Sequence, residues 1–185
     1  MKKLLRIVYK LLLEIEYVFL NNIVCYIPLW AIRKVIYIIL GMKIGKGSRI
    51  MMKTIVWMPH KIKIGQNTII NENCYLDGRG NINIGDNVTI ATYSKLITGS
   101  HNIDDDSFSY VASPINISNN VAVFSDCVVL GGSKIENGCV FSAKSLIRKG
   151  IYNERGIYGG NPAKYIRRRK TSVNYEQEKS RLLFR

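Results

Sequence analysis

At 185 residues the chain has room for one domain with a short extension at each end. Its net charge of +14 comes with no nucleic-acid module and no aromatic-interleaved basic stretch, which argues against nucleic acid as a partner. Cys25, Cys74, Cys127 and Cys139 show neither CxxC spacing nor a metal pattern, which argues against a zinc site or a redox pair.

The charge is unevenly placed. Residues 1–43 hold seven Lys/Arg against two Asp/Glu, residues 44–147 nine against eight, and residues 148–185 eleven against three. The middle is nearly neutral and both ends favour anions, such as lipid headgroups or cofactor phosphates.

Residues 1–20 read as a helix with a wide apolar face and a narrow stripe of Lys3, Arg6, Lys10 and Glu14. Glu14 and Glu16 interrupt the apolar run and no small-residue cleavage site comes after it, unlike a signal peptide. Asn21-Asn22 ends this helix. A second apolar segment has Pro28 near its start and Gly41 at its end, with Arg33 and Lys34 splitting it, so it is too short and too charged to span a bilayer. Residues 1–42 are therefore expected to form an amphipathic helical unit. It either lies on the inner face of the cell membrane against anionic lipid, or caps the start of the main domain and packs on a neighbouring subunit.

From residue 44 a period of six takes over. Ile44, Ile50 and Val56 form one series, Ile64, Ile70 and Leu76 a second, and Ile84, Ile90 and Leu96 a third, each starting 20 residues after the last. The longest run is Ile117, Val123, Val129, Ile135, Phe141 and Ile147, with the mostly small residues Val121, Cys127, Ser133, Cys139 and Ser145 at the fifth place of each hexad. Neither a helix repeating at 3.6 nor a plain strand repeating at 2 accounts for a strict period of six over this length; short strands joined by tight corners do, giving a parallel β-helix of roughly five triangular coils over residues 43–165. The cysteines on the small position read as reduced packing residues, consistent with a cytoplasmic protein. Residues 102–113, polar and rich in Asp, leave the repeat just after His101, and such insertions tend to form the binding face of a solenoid. Residues 166–185 read as a basic helix or tail.

The chain resembles the hexapeptide-repeat, left-handed β-helix acyltransferases, most of all the O-acetyltransferases of bacterial capsule and exopolysaccharide pathways. The resemblance is carried by Ser100-His101-Asn102-Ile103-Asp104-Asp105, by Pro114-Ile115-Asn116-Ile117 with its following hexads, and by Gly160-Asn161-Pro162-Ala163-Lys164. It implies a left-handed helix, a homotrimer, and acetyl-CoA as co-substrate in a groove between subunits. It further implies direct transfer to a sugar hydroxyl of a glycan precursor, without an acyl-enzyme. His101 is then the general base, since an imidazole can take a hydroxyl proton near neutral pH. Its other nitrogen needs a holder, for which Asp104, Asp105 or a backbone carbonyl is available. The resemblance places the cofactor against Gly131, Gly132, Ser142, Ala143, Gly160 and Asn161, with Lys164 and Arg167 toward the phosphates. Ala122 stands where many members carry Trp, with Phe124 two residues on. That departure keeps open a non-catalytic assembly subunit at the membrane; an N-acetyltransferase of an amino-sugar nucleotide is a further alternative. No metal is expected; a β-helix carbonic anhydrase needs three zinc-binding histidines, and the chain has two.

Overall fold

A computed structural model describes residues 2–172. Two helices, α1 (Lys2–Asn22) and α2 (Trp30–Ile39), precede a solenoid of very short strands. The strands stack into three flat parallel sheets, the faces of a triangular prism. The first face runs from Lys43–Ile44 through Ile62–Ile64, Ile82–Ile84, Ile115–Ile117 and Ser133–Ile135 to Gly150–Tyr152, so the prism has six rungs where the repeats led us to expect about five coils.

The hexad explains itself in the corners. Its first residue points inward, and Ile50, Ile70, Ile90, Val123 and Phe141 are all fully buried in one column. Its fourth residue turns the corner with a positive φ, as at Asn67, Asn73, Asn87, Asn120 and Gly138. That backbone region suits Gly and is tolerated best by Asn among the others. Its fifth residue is buried beneath the corner, where the side chain donates to a carbonyl of the next coil: Thr68 Oγ1 to Gly85 O at 2.7 Å, Cys74 Sγ to Ala91 O at 3.2 Å, Ser94 Oγ to Phe124 O at 3.0 Å and Cys127 Sγ to Ser142 O at 3.1 Å. Small and weakly polar is what that position requires. Burial pushes the Cys74 thiol up to about 12 and the Cys139 thiol up to about 11, and raises Cys127 as well. Buried thiols raised in this way are poor nucleophiles. In the folded protein at pH 8, a thiol reagent should label Cys74, Cys127 and Cys139 at least about 100-fold more slowly than a free thiol, read by mass spectrometry of the quenched digest.

An open prism end exposes unpaired strand edges, and the helices cover the first one. Asn21 reaches across as a paired amide, its Nδ2 donating to Val56 O at 3.0 Å and its Oδ1 accepting from Val56 N at 2.8 Å. Arg33 is fully buried and donates to the carbonyls of Ile27, Pro28 and Ile50. The charge that divides the apolar segment in sequence is thus an internal cap, and α1 continues through Asn21-Asn22 rather than ending before it. At the other end Lys164–Arg168 forms a strand antiparallel to Gly156–Gly159, correcting the expectation of a helix or tail there. The remainder of the expected tail, residues 173–185, lies outside the described residues.

The second face runs from Arg49–Ile50 to Gly156–Gly159 and the third from Ile55–Trp57 to Leu146–Ile147, and among the described residues the corner between the third and first faces carries the insertions. It holds the short turns Pro59–Lys61 and Gly78–Gly80 in the first two coils and residues 98–114 in the third. His101 therefore stands at a corner that protrudes from the prism.

Candidate active site

The insertion is a β-hairpin: Gly99–His101 pairs antiparallel with Tyr110–Ala112, with Ser100 opposite Val111 and His101 opposite Tyr110. Its root is clamped by Asp77, a carboxylate with no exposed surface. Asp77 accepts from Arg79 Nε at 2.8 Å and Nη2 at 3.0 Å, and its Oδ2 also accepts from the amides of Thr98 and Gly99 at 3.1 and 2.9 Å. Thr98 Oγ1 donates to the Asp77 carbonyl and accepts from Gly80 N, each at 2.7 Å. Burial would raise the Asp77 carboxyl, but the bonds from Arg79 and the Gly99 amide more than offset this and hold it below its ordinary 3.8. The Arg79 guanidinium lies 4.2 Å over the Trp57 ring and 5.3 Å over Tyr110, bracing the hairpin against the first coil.

His101 is held on three sides. Its Nδ1 lies 2.8 Å from Phe108 O, its ring stacks on Phe108 with centroids 4.5 Å apart, and Tyr110 meets it edge-on at 5.8 Å. A carbonyl only accepts, so Nδ1 carries a hydrogen, and in the neutral ring the lone pair is on Nε2. The tautomer is the one a general base at Nε2 requires.

The two aspartates do not share this work. Asp105 turns back into the loop, where bonds from Ser109 and Ser107 hold its carboxyl down to about 2. Asp104 is exposed, with its amide bonded to Asn102 Oδ1 at 3.2 Å. Of the holders open to His101 by sequence, the structure has the backbone carbonyl in place. His60 sits exposed in the corner turn of the first coil.

Adjacent hairpin residues point to opposite sides. Tyr110, beside His101, faces Arg79 and the first coils, whereas Ser100 and Val111 border a cleft of about 240 Å³ on the side of the later coils. That cleft is closed by Leu130, Gly131, Arg148 and Lys149. A Cβ on Gly131 would lie 2.7 Å from Ser113 O, so glycine there is demanded by the packing of the insertion itself. Gly132 has φ +85° at the same corner.

Most of the remaining cofactor candidates lie along the third face of the last coils. Ser142 and the exposed Ala143 form its other corner in the fifth coil, where the Ser142 amide donates to Tyr158 O at 2.9 Å. The turn at Gly160-Asn161 docks on this face through Leu146 N to Gly160 O at 3.0 Å and Ala163 N to Leu146 O at 2.8 Å. Lys164 and Arg167 come next on the last strand, both exposed. Gly131, Gly132, Ser142, Ala143 and the Gly160-Asn161 turn thus border the third face, while Lys164 and Arg167 extend the second-face sheet through their pairing with Gly156–Gly159. Ala122 lies on the second face, paired with Thr89 and Val140.

Sequence reasoning missed Asp77, Arg79, Arg148 and Lys149. Asp77 had a signal: a carboxylate directly after the inward Leu76, at the corner that carries the insertions.

No protein-family model matches the chain. A colanic acid biosynthesis acetyltransferase of Escherichia coli, WcaF by name, is 33% identical over 129 residues, 70% of each chain. An acetyltransferase of Bacillus subtilis, YvoF by name, is 30% identical over 129 residues, covering 69% of this chain and 60% of the relative. Among known structures, the hexapeptide-repeat acetyltransferase VCA0836 of Vibrio cholerae, complexed with acetyl coenzyme A, superposes with a TM-score of 0.70 at 28% identity over 76% of this chain and 78% of that one. A galactoside acetyltransferase in complex with coenzyme A shares the fold, with a TM-score of 0.69 at 24% identity over 79% and 77% of the two chains. A six-rung left-handed β-helix with a protruding His corner, matched over most of its length by such enzymes, belongs to the hexapeptide-repeat acetyltransferase family.

Proposed function

We propose that the chain transfers the acetyl group of acetyl-CoA to a sugar hydroxyl of a glycan precursor, with His101 as general base. The observation that carries this is the Nδ1–Phe108 bond, which leaves Nε2 as a proton acceptor on an exposed, rigidly stacked ring. The acceptor oxygen attacks the thioester carbonyl as Nε2 takes its proton. The C–S bond then breaks, and the imidazolium returns the proton to the departing thiolate, leaving an ester, CoA and neutral His101. No acyl-enzyme forms, in keeping with the protonated, buried thiols.

The thioester would approach along the third face, past Ser142 and Ala143, with the pantetheine arm against the edges at Gly131, Gly132, Gly160 and Asn161. Arg148 and Lys149 beside the hairpin, and Lys164 and Arg167 on the last strand, supply the positive charge for its phosphates. His101 is exposed in a single chain, and neighbouring copies in a homotrimer would supply the second wall. The sugar acceptor is supported by the E. coli relative, whose name places it in the biosynthesis of a polysaccharide.

The test is mass spectrometry of the native glycan made with and without this protein. Acetyl increments that depend on the protein and are removed by mild alkali are expected. Alkali-resistant increments would mean N-acetylation, and identical glycans would overturn the proposal.

A further inference from the structure

The amphipathic helices are mounted the wrong way round for a soluble protein. On a helix of 3.6 residues per turn, Val18, Leu11, Leu4, Ile15, Val8 and Phe19 share one side of α1, and every one of them is exposed. The side turned to the solenoid carries Leu20, Tyr17 and Asn21, together with the polar stripe of Arg6, Lys10 and Glu14. The second helix, α2, does the same. It buries Arg33 and Tyr37 and exposes Ile32, Val35, Ile38 and Ile39. Contiguous apolar surface of this extent marks an interaction site rather than a solvated face.

The charge around it selects the occupant. Residues 1–63 contain twelve Lys/Arg and two Asp/Glu, a net of +10 out of the chain's +14. A second copy meeting this end would bring the same positive field and be repelled; an anionic surface would be drawn in. No described helix is long and apolar enough to cross a membrane, which leaves a helix lying in the plane of the interface.

We propose that the outward faces of α1 and α2 form a docking surface for an anionic lipid bilayer, and that docking sets the His101 corner beside the headgroups so that the acceptor is a membrane-borne glycan. The helix α1 crosses the first coil at Trp57–Met58, where Lys10, Leu13 and Tyr17 border a groove with them. That corner is the one from which the His101 hairpin protrudes two coils later, about 10 Å along the prism at the usual strand spacing. His101 and Tyr110 lie on the hairpin side that faces Arg79 and Trp57, toward this end of the molecule. The docking surface stands on its own; the identity of the acceptor rests on the acetyl-transfer reading above.

The experiment is co-sedimentation of the full chain with vesicles of phosphatidylcholine alone and of phosphatidylcholine mixed with phosphatidylglycerol, with assembly size measured in parallel by light scattering. Wild type should bind the mixed vesicles and lose binding as salt is raised. The triple variant Leu11→Glu, Ile15→Glu, Val18→Glu should lose about tenfold or more of its binding at unchanged assembly size and melting temperature. Equal sedimentation of wild type and triple variant overturns the proposal, as does absence of wild-type binding. A change of assembly size in the triple variant also overturns it, by giving the apolar face to a neighbouring copy. His101→Ala should bind vesicles like wild type, so loss of acetyl transfer and loss of docking are read separately.

Discussion

Replacing His101 with alanine should lower acetyl transfer by roughly 10²–10⁴-fold, the usual worth of a positioned general base, with the melting temperature unchanged. The ring is exposed and lies on a hairpin outside the prism, so no core packing is lost with it. The residual rate measures what alignment of the two substrates contributes alone. Asp104→Asn and Asp105→Asn serve as internal controls. Because the Phe108 carbonyl fixes the tautomer, neither substitution should alter turnover appreciably. A drop in the Asp105 variant comparable to that of His101→Ala would mean that the loop carboxylate, and not the backbone, orients the base.

Asp77→Asn should cost about 3 kcal/mol of stability and reduce turnover without eliminating it. Breaking one partner of a buried ion pair costs about 3–5 kcal/mol, and the lower end applies because Arg79 is 27% exposed and can regain water. The hydrogen-bond count decides the sign. Both carboxylate oxygens of Asp77 accept: Oδ1 from Arg79, Oδ2 from Arg79, Thr98 and Gly99. An asparagine offers one oxygen and one NH₂, and the NH₂ must face donors whichever way it is turned. The Thr98 and Gly99 amides begin the strand that ends at His101, so their release loosens the base. We expect kcat to fall more than KM for acetyl-CoA changes, and Asp77→Glu to rescue neither. The pH dependence comes from the same bonds. The Asp77 carboxyl is depressed below 3.8 in the folded state, so its contribution is present above the unfolded value and is lost as pH falls through the folded one. Wild type should lose stability below about pH 4, and the Asp77→Asn variant should lack that part of the acid sensitivity.

The prism was legible in the sequence because one hexad encodes one corner: an inward apolar residue and, four places on, a small residue beneath the corner. Each of those demands is local, so each leaves a letter. His101 was legible through its motif and through its position at the break in the repeat. The clamp beneath it was not, because Asp77 and Gly99 are 22 residues apart and meet only when one coil stacks on the next. The role of Arg33 was not legible for the same reason: the carbonyls of the open prism end that it caps belong partly to a strand 17 residues on. Lys164–Arg168 read as tail because its cations mask a strand that needs only backbone groups to pair with Gly156–Gly159.

The most direct test is a structure of the chain with bound coenzyme A. The account predicts the sulfur beside His101 Nε2, separated from it by no more than the width of the acceptor hydroxyl, roughly 3–5 Å, with the pantetheine arm along the third face between Ser142 and Gly131. A sulfur bound elsewhere, with His101 facing open solvent and no neighbouring chain, would contradict it.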